Sequence, residues 1–220
     1  MRSGIRLSPD KVMQLRRASQ AIKAQGQIQA WLEHTAPIPD APREFKYQSS
    51  DPSMTMQVLE AVVPGSAREF IETEILGKLG ITNFAWQDDV SGFPKSAAGS
   101  SICSRDMLKW GILVTGGGEW NGEQIIPESF VRAATGRLHT NAQGTSYGYF
   151  WWRHDMQVAD RAFDCISGRG AGGQFILVLP ELDLIAVITS HNKGMGTILT
   201  TIPQRVLPAF LPSQEKEPES

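Results

Sequence analysis

The stretch Phe175-Ile176-Leu177-Val178-Leu179-Pro180-Glu181-Leu182-Asp183-Leu184-Ile185-Ala186-Val187-Ile188-Thr189 decides the fold. Two apolar runs, Phe175 to Leu179 and Leu184 to Thr189, flank Pro180 to Asp183, whose residues suit a tight turn between antiparallel strands. Two more β-branched or aromatic runs precede them, Tyr147 to Trp152 and Ala162 to Ile166, so an antiparallel meander is expected. Upstream the texture is helical. Ser8 is a good N-cap, Pro9 suits the first helical position, and Val12, Leu15, Ala18 and Ile22 recur at three- and four-residue intervals up to Gly26. Pro37, Pro39 and Pro42 then exclude regular helix, and Phe45 to Tyr47 reads as a short extended piece. Helices are expected over Pro52 to Val63 and over Ser66 to Leu79, where Ser66 and Glu69 make a capping box and Phe70, Ile71, Ile75 and Leu79 form the stripe. A loop runs from Asp88 to Ser101, Ser104 caps a helix that ends at Gly116 to Gly118, and Pro127 opens a short one. A last helix, made irregular by Pro203 and Pro208, fits Ile198 to Phe210. Helices, then a meander, then a helix give an α+β class with helices packed on an antiparallel sheet. One domain is expected over residues 1–211, helical to about 135 and carrying its sheet and final helix from about 145, followed by a frayed polar tail over 212–220.

Composition narrows the function. In 220 residues, 41% are hydrophobic, 20% charged and 8% aromatic, enough apolar side chain for a real core. A formal charge of −2 without a long basic run argues against nucleic acid as a partner. Cys103 and Cys165 are too few for a disulfide scaffold and could form one bridge or none. No apolar run approaches the roughly 18–20 residues of a membrane span. No secretory signal is visible, any such signal would lie upstream of Met1, and the compartment stays unassigned.

Several chemical patterns fail on context. Gly168-Arg169-Gly170-Ala171-Gly172-Gly173 matches the dinucleotide fingerprint G-x-G-x-x-G, but a strand rather than a helix follows it, so no cofactor is expected. The four histidines are scattered without metal-ligand spacing, so no metal is expected either. Ser8-Pro9-Asp10-Lys11 has the Ser-x-x-Lys spacing that lets an amine take a hydroxyl proton, yet Ser8 already reads as a helix cap in a solvated, arginine-rich setting. Ser213-Gln214-Glu215-Lys216 repeats the spacing within the polar tail, where it is chance.

An ordered set of short motifs carries a resemblance. Phe45-Lys46-Tyr47-Gln48-Ser49-Ser50-Asp51 resembles the Tyr-x-Asn/Ser motif of the serine β-lactamase-related family, which includes class C β-lactamases, D-alanyl-D-alanine peptidases, family VIII esterases and 6-aminohexanoate-dimer hydrolases. In order along the chain, Ala98 to Met107 is similar to that family's helix start, Gly118 to Pro127 to its G-x-W-x-G turn, Tyr147 to Trp152 to its Y-G-Y-x-W-W strand, and Gly173 to Ser190 to its closing hairpin. The likeness covers roughly Phe45 to Asn192 and is nearest to the 6-aminohexanoate-hydrolase and esterase-like members.

The resemblance implies a β-lactamase/transpeptidase-like fold and hydrolysis of a small-molecule amide, ester or lactam through an acyl-serine. Tyr47 and Ser49 would be the catalytic residues present, and Arg169, Gly170, Gly172 and Trp152 would line the substrate side. Met1-Arg2-Ser3-Gly4-Ile5 resembles the family's t-S-G-l loop, which follows the nucleophile helix, so the chain is expected to lack that helix and the N-terminal strands. The Lys-Thr-Gly motif is replaced by Ser167-Gly168-Arg169-Gly170, whose one cation exchanges no proton near neutral pH. A free phenol ionises near pH ~10, so a tyrosine base needs an ammonium group beside it. The chain alone is therefore expected to be inactive. The alternative is a non-catalytic binding protein on the same fold, self-associating through an exposed sheet edge. Single residues keep plainer readings: Tyr47 also fits a half-buried strand, Ser49 a turn or cap, the glycines a bulged turn, Trp151 and Trp152 the sheet surface, and Cys165 a small apolar core residue.

Overall fold

The computed structural model describes residues 1–17, 27–38, 44–191 and 196–211. Ala18, Ile22, Gly26, Pro39, Pro42 and the tail over 212–220, all read above from sequence, lie outside the described residues. The chain divides into two compact units, Met1–Ile102 and Cys103–Ser220.

The first unit begins with α1, Pro9–Arg17. The Lys11 amide donates to Ser8 Oγ at 3.2 Å and the Val12 amide to the Ser8 carbonyl at 3.0 Å, so Ser8 is the cap that the sequence predicts. Helix α2, Gln27–His34, was not expected. The prolines that argued against helix start at Pro37, after it has ended. Phe45 to Tyr47 pairs with no strand, although the Lys46 amide reaches the Met1 carbonyl at 3.1 Å. Helix α3 spans Ser50–Val62 and α4 spans Ala67–Ile71, the latter opened by the Glu69 amide donating to Ser66 Oγ at 3.2 Å. A π-helical turn, Glu72–Gly77, then continues the chain. Its wider winding shifts the phase of the stripe, so Leu76 and Leu79 are buried while Phe70, Ile71 and Ile75 stay half-exposed. Strands β1, Phe84–Trp86, and β2, Ser100–Ile102, pair antiparallel around the predicted loop.

The second unit opens with α5, Ser104–Thr115, capped at Cys103 rather than at Ser104. A two-residue hairpin, β3 Glu119–Trp120 with β4 Glu123–Gln124, turns at Asn121 and Gly122, and α6 follows over Glu128–Ala134. Among the described residues six antiparallel strands make the sheet: β5 His139–Thr140, β6 Ser146–Tyr147, β7 Trp152–Val158, β8 Arg161–Gly170, β9 Gln174–Leu179 and β10 Leu184–Ile188, each beside its sequence neighbour. The predicted strand Tyr147 to Trp152 is a corner instead. Phe150 has φ +67°, the Gly148 amide donates to the Trp151 carbonyl at 2.9 Å, and Tyr147 pairs back onto Trp152. The β9–β10 turn runs as expected, through a 3₁₀ turn at Pro180–Leu182 and a left-handed Asp183.

Both faces of this sheet are covered within the unit. Met156, Phe163, Cys165, Phe175, Leu177 and Leu179 form one buried face under α7, Gly196–Arg205, and the 3₁₀ turn Leu207–Phe210, which contribute Ile198 and Leu207. Helix α5 crosses the other face at Gly111, where a Cβ would lie 2.5 Å from Ile185 Cγ2. The absence of a side chain there sets the closeness of helix and sheet. The architecture is thus α+β with helices on an antiparallel sheet. Cys103 is exposed, Cys165 is buried, and no disulfide joins them.

Candidate functional site

In the first unit the segment bearing Tyr47 and Ser49 is tied to the start of the chain. Asp51 is only 8% exposed, in the first turn of α3. Its Oδ1 accepts from Ser3 Oγ at 2.9 Å and Gln48 Nε2 at 2.6 Å, and its Oδ2 from the Ser3 amide at 3.2 Å. Burial pushes the Asp51 pKa up, but the hydrogen bonds from Gln48 and Ser3 outweigh it and hold the carboxyl below its usual range. Gln48 also donates to the Ile5 carbonyl at 3.0 Å, and Arg6 reaches the Glu44 carbonyl at 3.0 Å. These bonds lock the backbone on both sides of Tyr47, whose ring is 55% exposed. Ser49 is exposed at the N-cap of α3, where its side chain makes no capping bond and its carbonyl accepts from Ser53 Oγ at 3.0 Å.

Ser49 also lines a cavity of about 590 Å³. Leu7, Val12, Leu15, Trp31 and Val90 give it apolar walls, and Lys46, Lys95 and Ser53 give it polar ones. Ser8 and Lys11 are turned away from each other. The Ser8 hydroxyl faces the Lys11 amide, and Lys11 Nζ donates to Gln14 Oε1 at 3.1 Å.

The other four predicted residues belong to the second unit. Arg169 Nε donates to Ser167 Oγ at 2.9 Å, its Nη2 to His154 Nδ1 at 2.9 Å, and its guanidinium lies 5.2 Å from the Trp152 ring. A guanidinium only donates, so His154 Nδ1 accepts and the ring is neutral with its proton on Nε2. Burial first, and the Arg169 charge second, push the His154 pKa down to about 4. Trp152 pairs with Ser167 and packs edge-on against Tyr147, ring centroids 4.6 Å apart. Gly168 and Gly170 alternate with Arg169 along β8 and so face the opposite side of the sheet. Gly172 and Gly173 make the β8–β9 turn with φ of +82° and +91°, and Ser190 Oγ donates to their carbonyls at 2.9 and 3.0 Å. The glycine-rich pattern is therefore strand, turn and strand, with no helix N-terminus after it for a pyrophosphate.

Sequence reasoning missed Asp51, His154, Ser167 and Ser190. Alternation alone puts Trp152 with His154 and Ser167 with Arg169 on shared faces, but only the register Trp152↔Ser167 brings the two pairs together. Among the described residues no group of three or more His, Cys, Asp or Glu could hold a metal ion, and no helix is long and apolar enough to cross a membrane.

Comparison with known proteins places this architecture. A proposed 6-aminohexanoate-dimer hydrolase from Bacillus anthracis superposes with a TM-score of 0.65 at 20% identity, over 91% of this chain and 55% of its own. A penicillin-binding protein homologue from Caulobacter crescentus gives 0.66 at 12% identity, over 88% and 66%. A D-stereospecific amidohydrolase from Streptomyces sp. gives 0.61 at 15% identity, over 92% and 69%. At such identities the likeness is one of fold, and the chain spans between about half and two thirds of the first two structures' length. No curated protein matches the sequence. The family model for beta-lactamases matches residues 1–206, nearly the whole chain, and the protein belongs to the beta-lactamase family.

Proposed function

We propose that the chain is part of a β-lactamase-related serine hydrolase that cleaves an amide, ester or lactam through an acyl-serine, and that these 220 residues alone do not complete the reaction. The serine oxygen adds to the carbonyl, its proton passes through Tyr47 to the leaving group, and water then releases the acyl group. Ser49 stands beside Tyr47 at the start of α3. Gly170 and Gly172 border the substrate with Trp152, and Arg169 supplies a fixed positive charge. The observation that carries the reading is the family match over residues 1–206, which includes the Tyr47-Gln48-Ser49 motif leading into a helix.

Support for incompleteness comes from Ser8. The Ser-x-x-Lys pair it forms with Lys11 has its hydroxyl committed as a helix cap and its amine bonded to Gln14. Labelling of the purified protein with a fluorophosphonate, beside hydrolysis of nitrocefin and p-nitrophenyl acetate, tests this. No stoichiometric acylation and no turnover are expected. Acylation at Ser8 that Lys11→Ala abolishes would overturn it.

A second reading, a non-catalytic protein that associates through its sheet, draws on β10. Leu184–Ile188 is apolar at every position, as in a strand buried on both faces, yet among the described residues it ends the six-strand order. Light scattering separates the two: a stable monomer at all concentrations speaks for the hydrolase part, a concentration-dependent dimer for the second reading.

A further inference from the structure

The β3–β4 hairpin carries a chemistry that the hydrolase reading leaves unused. Asn121 and Gly122 form its turn, with φ of +50° and +82°, the pair of positive values that a type I′ turn requires. Both residues are exposed, and a Cβ built on Gly122 would meet nothing within 4 Å among the described residues. Among those residues no hydrogen bond holds the Asn121 side chain or the Gly122 amide. Asn121 Cγ and the Gly122 nitrogen can close a five-membered ring, and glycine puts no side chain in the way. The left-handed turn has to open before that ring forms. Little opposes the opening, because β3 and β4 are two residues each, paired only through Glu119↔Gln124 and Trp120↔Glu123, and so short a ladder is marginal by itself. The other asparagines differ. Asn141 Oδ1 accepts from the Gln143 amide at 3.0 Å and the Thr145 amide at 2.9 Å, which fixes its side chain. Asn83 is followed by Phe84 and Asn192 by Lys193, each with a side chain that crowds the attacking nitrogen.

We propose that Asn121 is a site of spontaneous modification, at which the native protein converts the side-chain amide into aspartate and isoaspartate. The Gly122 nitrogen, its proton taken by hydroxide, bonds to Asn121 Cγ; the Cγ–Nδ2 bond breaks, and ammonia leaves with a proton returned from water. Water then opens the cyclic imide, so each event consumes one water and releases one ammonia. Attack at Cγ gives aspartate. Attack at the backbone carbonyl gives isoaspartate, which lengthens the main chain by one methylene. A turn built on two left-handed residues does not survive that insertion, and the new carboxylate joins the exposed Glu119 and Glu123 on the same hairpin. The site is independent of the acyl-serine chemistry.

The test incubates the 220-residue protein beside the free peptide Glu119–Gln124 in mildly alkaline buffer and follows both by mass spectrometry of their fragments. Conversion of Asn121, read as a gain of one mass unit, should proceed in the native protein within roughly tenfold of the peptide's rate, the protection that a readily opened turn allows. Asn83, Asn141 and Asn192 should keep their amides over the same period. Asn121→Gly, which suits a positive φ as well as asparagine does, should leave the mass of the segment unchanged. Modified protein, separated by its added charge, should exchange its amide hydrogens faster over 119–124 and at the parent rate over α5. An Asn121 that keeps its amide while the free peptide loses it overturns the proposal, and so does earlier conversion at any other asparagine. Unchanged exchange over 119–124 in the modified protein overturns the loss of the turn.

Discussion

Asp51→Asn tests whether the carboxylate, rather than the shape of the side chain, holds the Tyr47 segment to the first residues. The substitution is nearly isosteric but removes the charge and replaces one acceptor oxygen by an NH₂ group. Four donors converge there, the Ser3 amide, the Ser3 hydroxyl, the Gln48 amide group and, more weakly, the Ser50 hydroxyl, so at least one of them would meet another donor. A hydrogen bond to a charged partner contributes about 1.5–3 kcal/mol, and bonds sharing one carboxylate overlap rather than add. A net loss of about 3 kcal/mol at pH 7 follows, enough to speed amide exchange of the Ser3 to Ile5 segment roughly a hundredfold. The pH dependence has a definite sign. The folded pKa lies below the ordinary 3.8, so the carboxylate's contribution is full above that value and is lost as the pH falls through the depressed one. Urea unfolding of both proteins, from pH 7 down to pH ~3, should therefore show a constant gap that starts to close below 3.8. A variant within about 0.5 kcal/mol of the parent at pH 7, or a gap that does not narrow in acid, would refute the reasoning.

Three other outcomes follow from the second unit. The His154 ring should stay neutral until about pH 4 in an NMR titration, and Arg169→Ala should raise its pKa only part of the way to 6.5, because burial is the larger cause. Unfolded chains bind that proton below 6.5, so the His154 contribution to stability should fall as the pH drops from 6.5 to about 4, a slope that His154→Phe should lack. Gly111→Ala places a Cβ 2.5 Å from Ile185 Cγ2 and should cost about 1–2 kcal/mol in thermal unfolding. In an Ile185→Ala background the same change should be neutral or stabilising, since alanine is the better helix former. Burial pushes the Cys165 thiol up to about 12, so native protein should take one equivalent of iodoacetamide, at the exposed Cys103, and denatured protein two.

The parts of the fold legible in the sequence were those in which local chemistry and tertiary context agree. Ser8 with Pro9, Ser66 with Glu69, and Pro180 to Asp183 each fix a cap or turn from a few neighbouring residues, and the structure has all three. The misreadings arose where longer-range geometry prevailed. Tyr147 to Trp152 has the aromatic composition of a strand, but Phe150 adopts a left-handed conformation that composition does not signal, and the run folds back on itself. Leu76 falls off a 3.6-residue stripe and becomes buried because the helix widens to π winding. Tyr47 and Ser49 stood out because they form a contiguous motif. Asp51 did not, because its partners at Ser3 are forty-eight residues away in sequence. Arg169 could be read as a site cation from its place in the chain, but its attachment to Ser167, His154 and Trp152 depends on strand register.

The role of Ser8 can be settled by a pair of substitutions that separates capping from nucleophilic attack. A cap needs an oxygen that accepts from the backbone N–H three residues on, which Ser8 Oγ does at 3.2 Å. A nucleophile needs a hydroxyl proton directed to a base, and the amine at Lys11 is bonded to Gln14 Oε1 instead. Aspartate accepts as serine does at an N-cap and adds a favourable charge at the positive end of α1, whereas alanine offers no acceptor. Ser8→Ala should therefore lower stability by about 1 kcal/mol, while Ser8→Asp should retain or slightly raise it. Because aspartate lacks the hydroxyl, any acylation through Ser8 would disappear in both variants alike. Melting temperatures and fluorophosphonate labelling measured on the same two proteins then give opposite patterns for the two roles. A cap predicts variants that differ in stability and match the parent in labelling. A nucleophile predicts that both lose a label which the parent carries.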